Sequence, residues 1–320
     1  MSQSVFLTGA TGFVGGAVMR RLVTDGFRVT AAVRSGSGAF NEEVDVVRFD
    51  SFEGADWRES LVGVDAVVHC AARVHVMSDT EVDPFAAFRK VNVESTLNLA
   101  EQAAEVGVRR FVFISSIKVN GEGTRPGKPY TAEDAPAPSD PYGISKLEAE
   151  QGLLALAGRT AMEVVIIRPV LVYGPGVRAN FLNMMRWLDK GIPLPFGAID
   201  NRRSLVALDN LVDLIITSIN HPAAANQIFL ISDGEDLSTT QLLRRTAAAL
   251  GKSARLLPVP SWMLSGAAKL AGKDALSQRL CGSLQVDIRK TRNLLQWTPP
   301  VSVNDALKAV ATQYMSDKKQ

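Results

Sequence analysis

Three features of the sequence predict an α/β protein built on a doubly wound parallel sheet. Short apolar runs alternate with helical patterns through the first half, a glycine-rich turn follows the first run, and two Asp-Pro pairs open later helices. The runs Ser4–Leu7, Arg28–Val33, Val46–Phe49, Ala66–His69, Arg110–Ile114 and Glu163–Ile167 are rich in Val, Ile and Phe, as strands buried on both faces are. Between the first two, Phe13, Val14, Ala17, Val18 and Leu22 mark one helix face, and Gly26 supplies a stop. Asp83-Pro84 and Asp140-Pro141 each read as an N-cap followed by proline at the first helical position. The rhythm changes after Pro169. Tyr173-Gly174-Pro175-Gly176 reads as a loop, a helix follows near Phe181–Leu188, and Ser238 with Gln241 forms a capping box before a helix ending near Gly251. The expected organisation is a parallel-sheet domain over residues 1–170 and a smaller α/β domain over 171–320, with a soft, partly interleaved boundary.

Composition narrows the function classes. The chain has 320 residues, 46% hydrophobic and 21% charged, which excludes an intrinsically disordered chain. Lys+Arg 35 against Asp+Glu 33 leaves a net charge of +2, so no nucleic-acid partner is expected. Cys70 and Cys281 are too few for a disulfide framework or a four-thiolate site; a reduced, cytoplasmic protein without a metal centre is expected. No basic region precedes Val5-Phe6-Leu7, which reads as a core strand and not as a leader peptide. No apolar run approaches the roughly 20 residues of a bilayer span, so no integral membrane segment is expected. Trp262–Leu270, apolar with one lysine, reads as an amphipathic surface or dimer helix, with peripheral membrane contact as the alternative.

The turn after the first strand reads Thr8-Gly9-Ala10-Thr11-Gly12-Phe13-Val14-Gly15. Gly9 permits the tight turn, Gly12 lets backbone approach a pyrophosphate, and Gly15 allows helix to pack on sheet. The helix opening at Phe13 and Val14 offers N–H groups and a positive dipole end, so the loop is expected to hold a dinucleotide. An NAD site places an acid at the end of the second strand to hold the ribose 2′-OH. Here the strand ends Ala31-Ala32-Val33-Arg34. Arg34 is suited to a 2′-phosphate, or is a surface arginine; NADP(H) is the preferred expectation and NAD(H) the alternative. Asp50, at the end of the third strand, is a candidate for the adenine edge or a turn-forming aspartate.

Tyr142 and Lys146 stand four residues apart, so both side chains share one helix face. A phenol with a pKa near 10 exchanges protons poorly at neutral pH, and a neighbouring ammonium is expected to lower it. Ser116, at the end of the fifth strand, could hydrogen-bond a substrate carbonyl oxygen, or simply cap the strand end.

Taken in order, Thr8–Gly15, Asp50, Val68-His69-Cys70-Ala71-Ala72, Val91-Asn92-Val93, Ser115-Ser116, Tyr142 with Lys146, and Arg168-Pro169 resemble the extended short-chain dehydrogenase/reductases. The resemblance covers almost the whole chain. It implies a Rossmann domain with a nucleotide-sugar domain, and Ser116, Tyr142 and Lys146 as catalytic triad, with Lys146 also on the nicotinamide ribose. It further implies cofactor contacts at Thr11, Ala71, Ala72 and Asn92, a UDP-sugar substrate and a homodimer. Arg202, by its distance to Asp209, resembles the arginine that contacts the substrate diphosphate, and Asp209 is expected to cap the next helix. Lys118, Arg178, Asn180 and Arg279 are further substrate candidates, or ordinary surface residues.

Within the family, Asn120 stands where tyrosine is usual, Lys118 is unusual, and Leu171 replaces a common substrate-binding asparagine. These departures resemble UDP-N-acetylquinovosamine 4-dehydrogenase/reductases of surface-polysaccharide, lipopolysaccharide and O-antigen synthesis. The resulting expectation is reduction of the C4 ketone of a UDP-4-keto-6-deoxy-N-acetylhexosamine. The alternatives are a UDP-glucose or UDP-N-acetylhexosamine 4-epimerase with bound NAD, and a non-catalytic NADP-binding module of the same fold.

Overall fold

The computed structural model describes residues 2–35, 40, 42–74, 83–125, 127–270, 272, 278 and 280–318. The chain opens with β1 (Ser4–Thr8), whose apolar residues alternate between two cores: Val5 and Leu7 face one side of the sheet and Phe6 the other. Helix α1 (Phe13–Thr24) lays Ala17, Val18 and Leu22 on the sheet, and Gly26, at φ +80°, turns the chain into β2 (Arg28–Arg34). β3 (Val44–Phe49), the short helix α2 (Arg58–Leu61) and β4 (Ala66–His69) follow. The Asp83 carboxylate accepts from the Ala86 N–H at 3.1 Å and starts α3 (Pro84–Arg89). A π-helical turn (Lys90–Glu94) then leads into α4 (Ser95–Glu105) and β5 (Arg110–Ile114). After the 3₁₀ turn Ile117–Val119, Asp140 caps α5 (Pro141–Ala157) by accepting from the Gly143 N–H at 2.7 Å. β6 (Glu163–Pro169) completes the run of strands read from the sequence.

The described residues form a seven-stranded sheet in the order β3-β2-β1-β4-β5-β6-β9, every pairing in it parallel. Its last strand arrives late in the chain. After β7 (Leu171–Tyr173), α6 (Ala179–Asp189), β8 (Arg203–Ala207) and α7 (Leu208–Asn220), the chain returns to pair β9 (Gln227–Ile231) with β6. The isolated apolar stretch of β9 carries no period that separates a strand from a buried helical segment, so only its pairing reveals it. A three-stranded sheet, β10-β8-β7, with β10 at Asp236–Leu237, anchors a third core. Helix α8 (Thr239–Ala249) packs in that core, α9 (Ser261–Leu270) buries none of its residues, α10 (Arg289–Leu295) places Leu295 in the core of the large sheet, and α11 (Val303–Asp317) returns to the core of the small sheet.

The Ser238–Gln241 capping box is present: Ser238 Oγ accepts from the Gln241 N–H at 3.0 Å and Gln241 Oε1 from the Ser238 N–H at 2.8 Å. Asp209 differs from expectation. Ala207 is the N-cap of α7, and Asp209 lies exposed in the first turn. A carboxylate there still faces the positive end of the helix without bonding its N–H groups.

Candidate active site

β1 and β4 are neighbours although the chain visits β2 and β3 between them. That reversal of strand order leaves a crevice at the carboxyl edge of the sheet. The Thr8–Gly15 turn lies there. Gly9 has φ +74°, and a Cβ on it would come within 2.7 Å of the Ala71 N. A Cβ on Gly15 would lie 2.1 Å from the Gly9 carbonyl oxygen. The exposed Gly12 is the N-cap of α1 and brings no side chain to the first-turn N–H groups. Those groups therefore remain for an outside acceptor, and the tightly wound backbone fits a diphosphate. Gly15→Ala is expected to push the Gly9 carbonyl aside and weaken dinucleotide binding about tenfold or more. Calorimetric titration checks this, with circular dichroism as the control for folding; unchanged affinity would remove the turn from the binding site.

Thr11 is exposed on the turn, with Phe13 and Val14 half-buried behind it. Arg34 and Asp50 stand exposed at the neighbouring ends of β2 and β3, where Arg34 is in register with Phe49. Ala71 and Ala72 follow β4 at the crevice, half-buried, and the Ala71 N–H donates to Thr8 Oγ1 at 3.3 Å. His69 pins the strands behind them, with Nδ1 2.8 Å from Thr8 Oγ1 and Nε2 3.0 Å from Thr96 Oγ1. Burial, helped by the Lys146 charge, pushes its pKa down to about 3, so the ring is neutral. Asn92, on the π-helical turn, is fully bonded. Its amide donates to Ser145 Oγ and to the Arg73 carbonyl, each at 3.0 Å, and accepts from the Arg73 N–H at 2.8 Å. It thereby clamps the loop after β4 to α5, consistent with π turns marking functional sites.

The three expected catalytic residues converge beside this crevice. Ser116 caps the 3₁₀ turn, its Oγ accepting from the Lys118 N–H at 3.2 Å. A hydroxyl that accepts there still has its proton to donate, so the capping and catalytic readings are compatible. Lys146 is buried, donates to the Ile114 carbonyl at 2.8 Å and lies 4.3 Å from the Phe113 ring centroid. Desolvation pulls its pKa down to about 8, with Glu150 and Cys70 opposing the fall.

The Tyr142 phenol runs against expectation: burial pushes it up to about 12 and Asp140 adds to the rise, while the Ser116 hydroxyl works the other way. In the free protein the half-buried ring therefore feels desolvation and the carboxylate at its own helix start more than the lysine one turn on.

Behind the triad lies a network that the sequence reading overlooked. Arg168 Nη2 sits 2.6 Å from Glu150 Oε2, Arg168 Nε donates to Glu150 Oε1 at 3.0 Å, and both side chains are 2% exposed. Ser115 Oγ also donates to Glu150, and Arg168 Nη1 donates to Asn120 Oδ1 at 2.9 Å. The signal was present, since Glu150 continues the spacing of Tyr142 and Lys146 along one face of α5.

Lys118 Nζ is engaged by Asp140, and by Glu122 at 3.1 Å. Arg202 is exposed before β8, and its N–H donates to Ser283 Oγ at 3.0 Å. The Ser283 stretch packs on the loop that follows Ser116, because a Cβ on Gly123 would lie 3.2 Å from the Ser283 carbonyl oxygen. Arg178 and Asn180 are exposed at the start of α6, and no hydrogen bond ties them to that stretch among the described residues. Arg279 lies outside the described residues. Among the described residues no cluster of His, Cys, Asp and Glu could hold a metal ion.

A glycine cradle at the switch point and a Ser–Tyr–Lys group beside it define a dinucleotide-dependent enzyme of the short-chain dehydrogenase/reductase type. The chain belongs to the NAD dependent epimerase/dehydratase family, whose model matches residues 5–232. It is 51% identical over 320 residues to a Vibrio cholerae protein named UDP-glucose 4-epimerase, covering 98% of this chain and 96% of that one. It is 28% identical to the N-acetyl-alpha-D-glucosaminyl-diphospho-ditrans,octacis-undecaprenol 4-epimerase of Escherichia coli O157:H7, covering 92% of this chain and 90% of that one. The fold matches the UDP-glucose 4-epimerase of Thermotoga maritima, solved with UDP-glucose, at a TM-score of 0.79 and 24% identity, covering 99% of this chain and 100% of that one.

These findings overturn the expected reductase of a UDP-4-keto-6-deoxy-N-acetylhexosamine. The features that suggested it have other roles. Asn120 is tied to Arg168 and donates to the Thr131 carbonyl at 3.0 Å, and Lys118 is held in ion pairs. Leu171 is 52% exposed at the start of β7. None of these environments bears on the direction of hydride transfer. The preference for NADP(H) finds no support either, since the matching family is described as NAD dependent.

Proposed function

We propose that the chain is a 4-epimerase of UDP-hexoses, with UDP-glucose and UDP-galactose as the first pair to test and NAD as the retained dinucleotide. The observation that carries this is the 51% identity, over nearly all of both chains, to a protein named UDP-glucose 4-epimerase. When bound, the dinucleotide supplies the hydride acceptor and then the hydride donor. Tyr142, acting as the phenolate once substrate and dinucleotide fill the crevice, takes the proton of the C4 hydroxyl and returns it, and Ser116 donates a hydrogen bond to the same oxygen as it becomes a carbonyl. Lys146, buried with one N–H on the Ile114 carbonyl, holds positive charge at the helix face it shares with Tyr142. Between the two proton transfers C4 is planar, and completion from the opposite face inverts it. Arg202 and the Ser283 stretch would receive the diphosphate side of the substrate. The Escherichia coli relative is named for a different diphosphate-linked sugar and the same 4-epimerisation. The unpaired Cys70 and Cys281 accord with a cytoplasmic location.

The purified protein is expected to interconvert UDP-glucose and UDP-galactose with no added dinucleotide, and to release NAD on denaturation. Absence of interconversion together with a stoichiometric requirement for added NADH or NADPH would overturn the reading.

A further inference from the structure

Helix α9 is turned the wrong way for a helix that serves a core. None of its residues is buried, and Leu264, Ser265 and Ala268 are only half-buried against the body. Ser265 also hydrogen-bonds Cys281, so this side is the attached one. The outward side carries Met263, Ala267 and Leu270 at helical spacing, with Trp262 beside them. Trp262 is 74% and Leu270 93% exposed. The apolar surface continues along the chain before the helix. Leu256 and Pro260 bridge to Leu194 and Ala198, which fixes the intervening strip, and Leu257, whose N–H donates to the Leu194 carbonyl at 2.8 Å, is exposed on it. Large apolar side chains left exposed on one helix face and on the strip leading into it mark a contact site.

The charge pattern identifies what it contacts. The near-neutral total conceals a strongly one-sided stretch: Leu237 to Lys273 contains six Lys and Arg residues and no Asp or Glu. The strip beside it, Lys190–Ile199, contains no acid either. Arg245 and Lys252 pair with Glu235 and Asp189. Arg255, which adjoins Leu256, and Lys269, on α9 itself, are exposed and form no ion pair among the described residues. Exposed aromatic and aliphatic side chains bordered by unopposed cations match the apolar boundary and anionic headgroups of a phospholipid surface. A second copy of this chain would bring the same cations to face one another.

We propose that α9 and the Leu256–Pro260 strip form a membrane-docking surface that seats the protein on anionic phospholipid, with Trp262, Met263 and Leu270 entering the headgroup–acyl boundary. This surface does not depend on the 4-epimerase reading.

The full-length protein is mixed with phosphatidylcholine vesicles, with or without phosphatidylglycerol, and the bound fraction is read by flotation. Wild type is expected to float with the phosphatidylglycerol vesicles and to lose binding as salt rises. Trp262→Glu combined with Leu270→Glu should weaken partitioning about tenfold or more. Arg255→Glu and Lys269→Glu should each weaken it about fivefold, with no change on phosphatidylcholine alone. Because these side chains are exposed, unfolding temperature and lipid-free turnover should stay at wild-type levels. Equal flotation of wild type and the Trp262/Leu270 variant, or no flotation with anionic vesicles at low salt, would overturn the proposal. So would sedimentation of a lipid-free dimer that the Trp262/Leu270 variant converts to monomer, since that assigns the surface to a second copy.

Discussion

Tyr142→Phe is expected to lower kcat by about 10²–10⁴-fold while leaving folding and dinucleotide affinity in place. In the proposed reaction the phenol carries the proton, on the face of α5 that also holds Lys146, and the hydroxyl is the only group the substitution removes. The ring meets Phe88 edge-on, with centroids 6.2 Å apart, a packing that phenylalanine preserves. With its pKa held up near 12 in the free protein, the phenol is protonated at neutral pH. It must therefore be drawn toward the phenolate only when substrate and dinucleotide fill the crevice, and a residue with no proton cannot take its place. Steady-state kinetics with UDP-glucose and a dinucleotide titration check the two halves separately. A variant with wild-type kcat would remove Tyr142 from proton transfer; one with weakened dinucleotide affinity would give it a binding role as well.

Arg168→Met is expected to destabilise the protein by about 3–5 kcal/mol, because it leaves the Glu150 carboxylate buried without its counter-ion. The pair is almost fully excluded from solvent, each side chain being 2% exposed, so solvent screening does little to soften the loss. The Ser115 hydroxyl and the Lys146 charge remain near Glu150 and keep the cost finite. Pairing Arg168→Met with Glu150→Leu removes both charges, and should recover more than half of the loss in urea unfolding. A single variant within about 0.5 kcal/mol of wild type would show that water or another group already compensates the carboxylate.

Strands from Ser4 to Ile167 were legible because parallel strands covered on both faces need continuous Val, Ile and Phe. The caps at Asp83, Asp140 and Ser238 were legible because each bond joins residues three apart in the chain. The glycine turn was legible for the same local reason, since Gly9 and Gly15 touch across a few residues. By contrast, β9 reaches its place only by pairing with a strand far earlier in the chain. Asp209 looked like a cap by its position before a helical pattern, yet the helix begins one residue earlier. The reaction was misjudged at Lys118 and Asn120, whose partners Asp140 and Arg168 lie 22 and 48 residues away.

The sequence by itself determined the doubly wound sheet, the glycine turn after its first strand, and the placing of Ser116 at a strand end and of Tyr142 and Lys146 on one helix face, to which the family resemblance adds the proposed chemistry. Each of these follows from periodicity or from residue types spaced within one turn or one strand end. Only the tertiary structure decided the electrostatics of that chemistry. Burial depends on what packs over a side chain, and burial drives the Tyr142 phenol up and the Lys146 ammonium down. It also decided that Glu150 and Arg168 meet behind the triad, because helix α5 and strand β6 come together only when the sheet closes its core. The outward turn of α9 belongs with these. The apolar residues of Trp262–Leu270 read the same whether they face a core, a partner or a lipid surface, and only packing shows that their large side chains face away from the body.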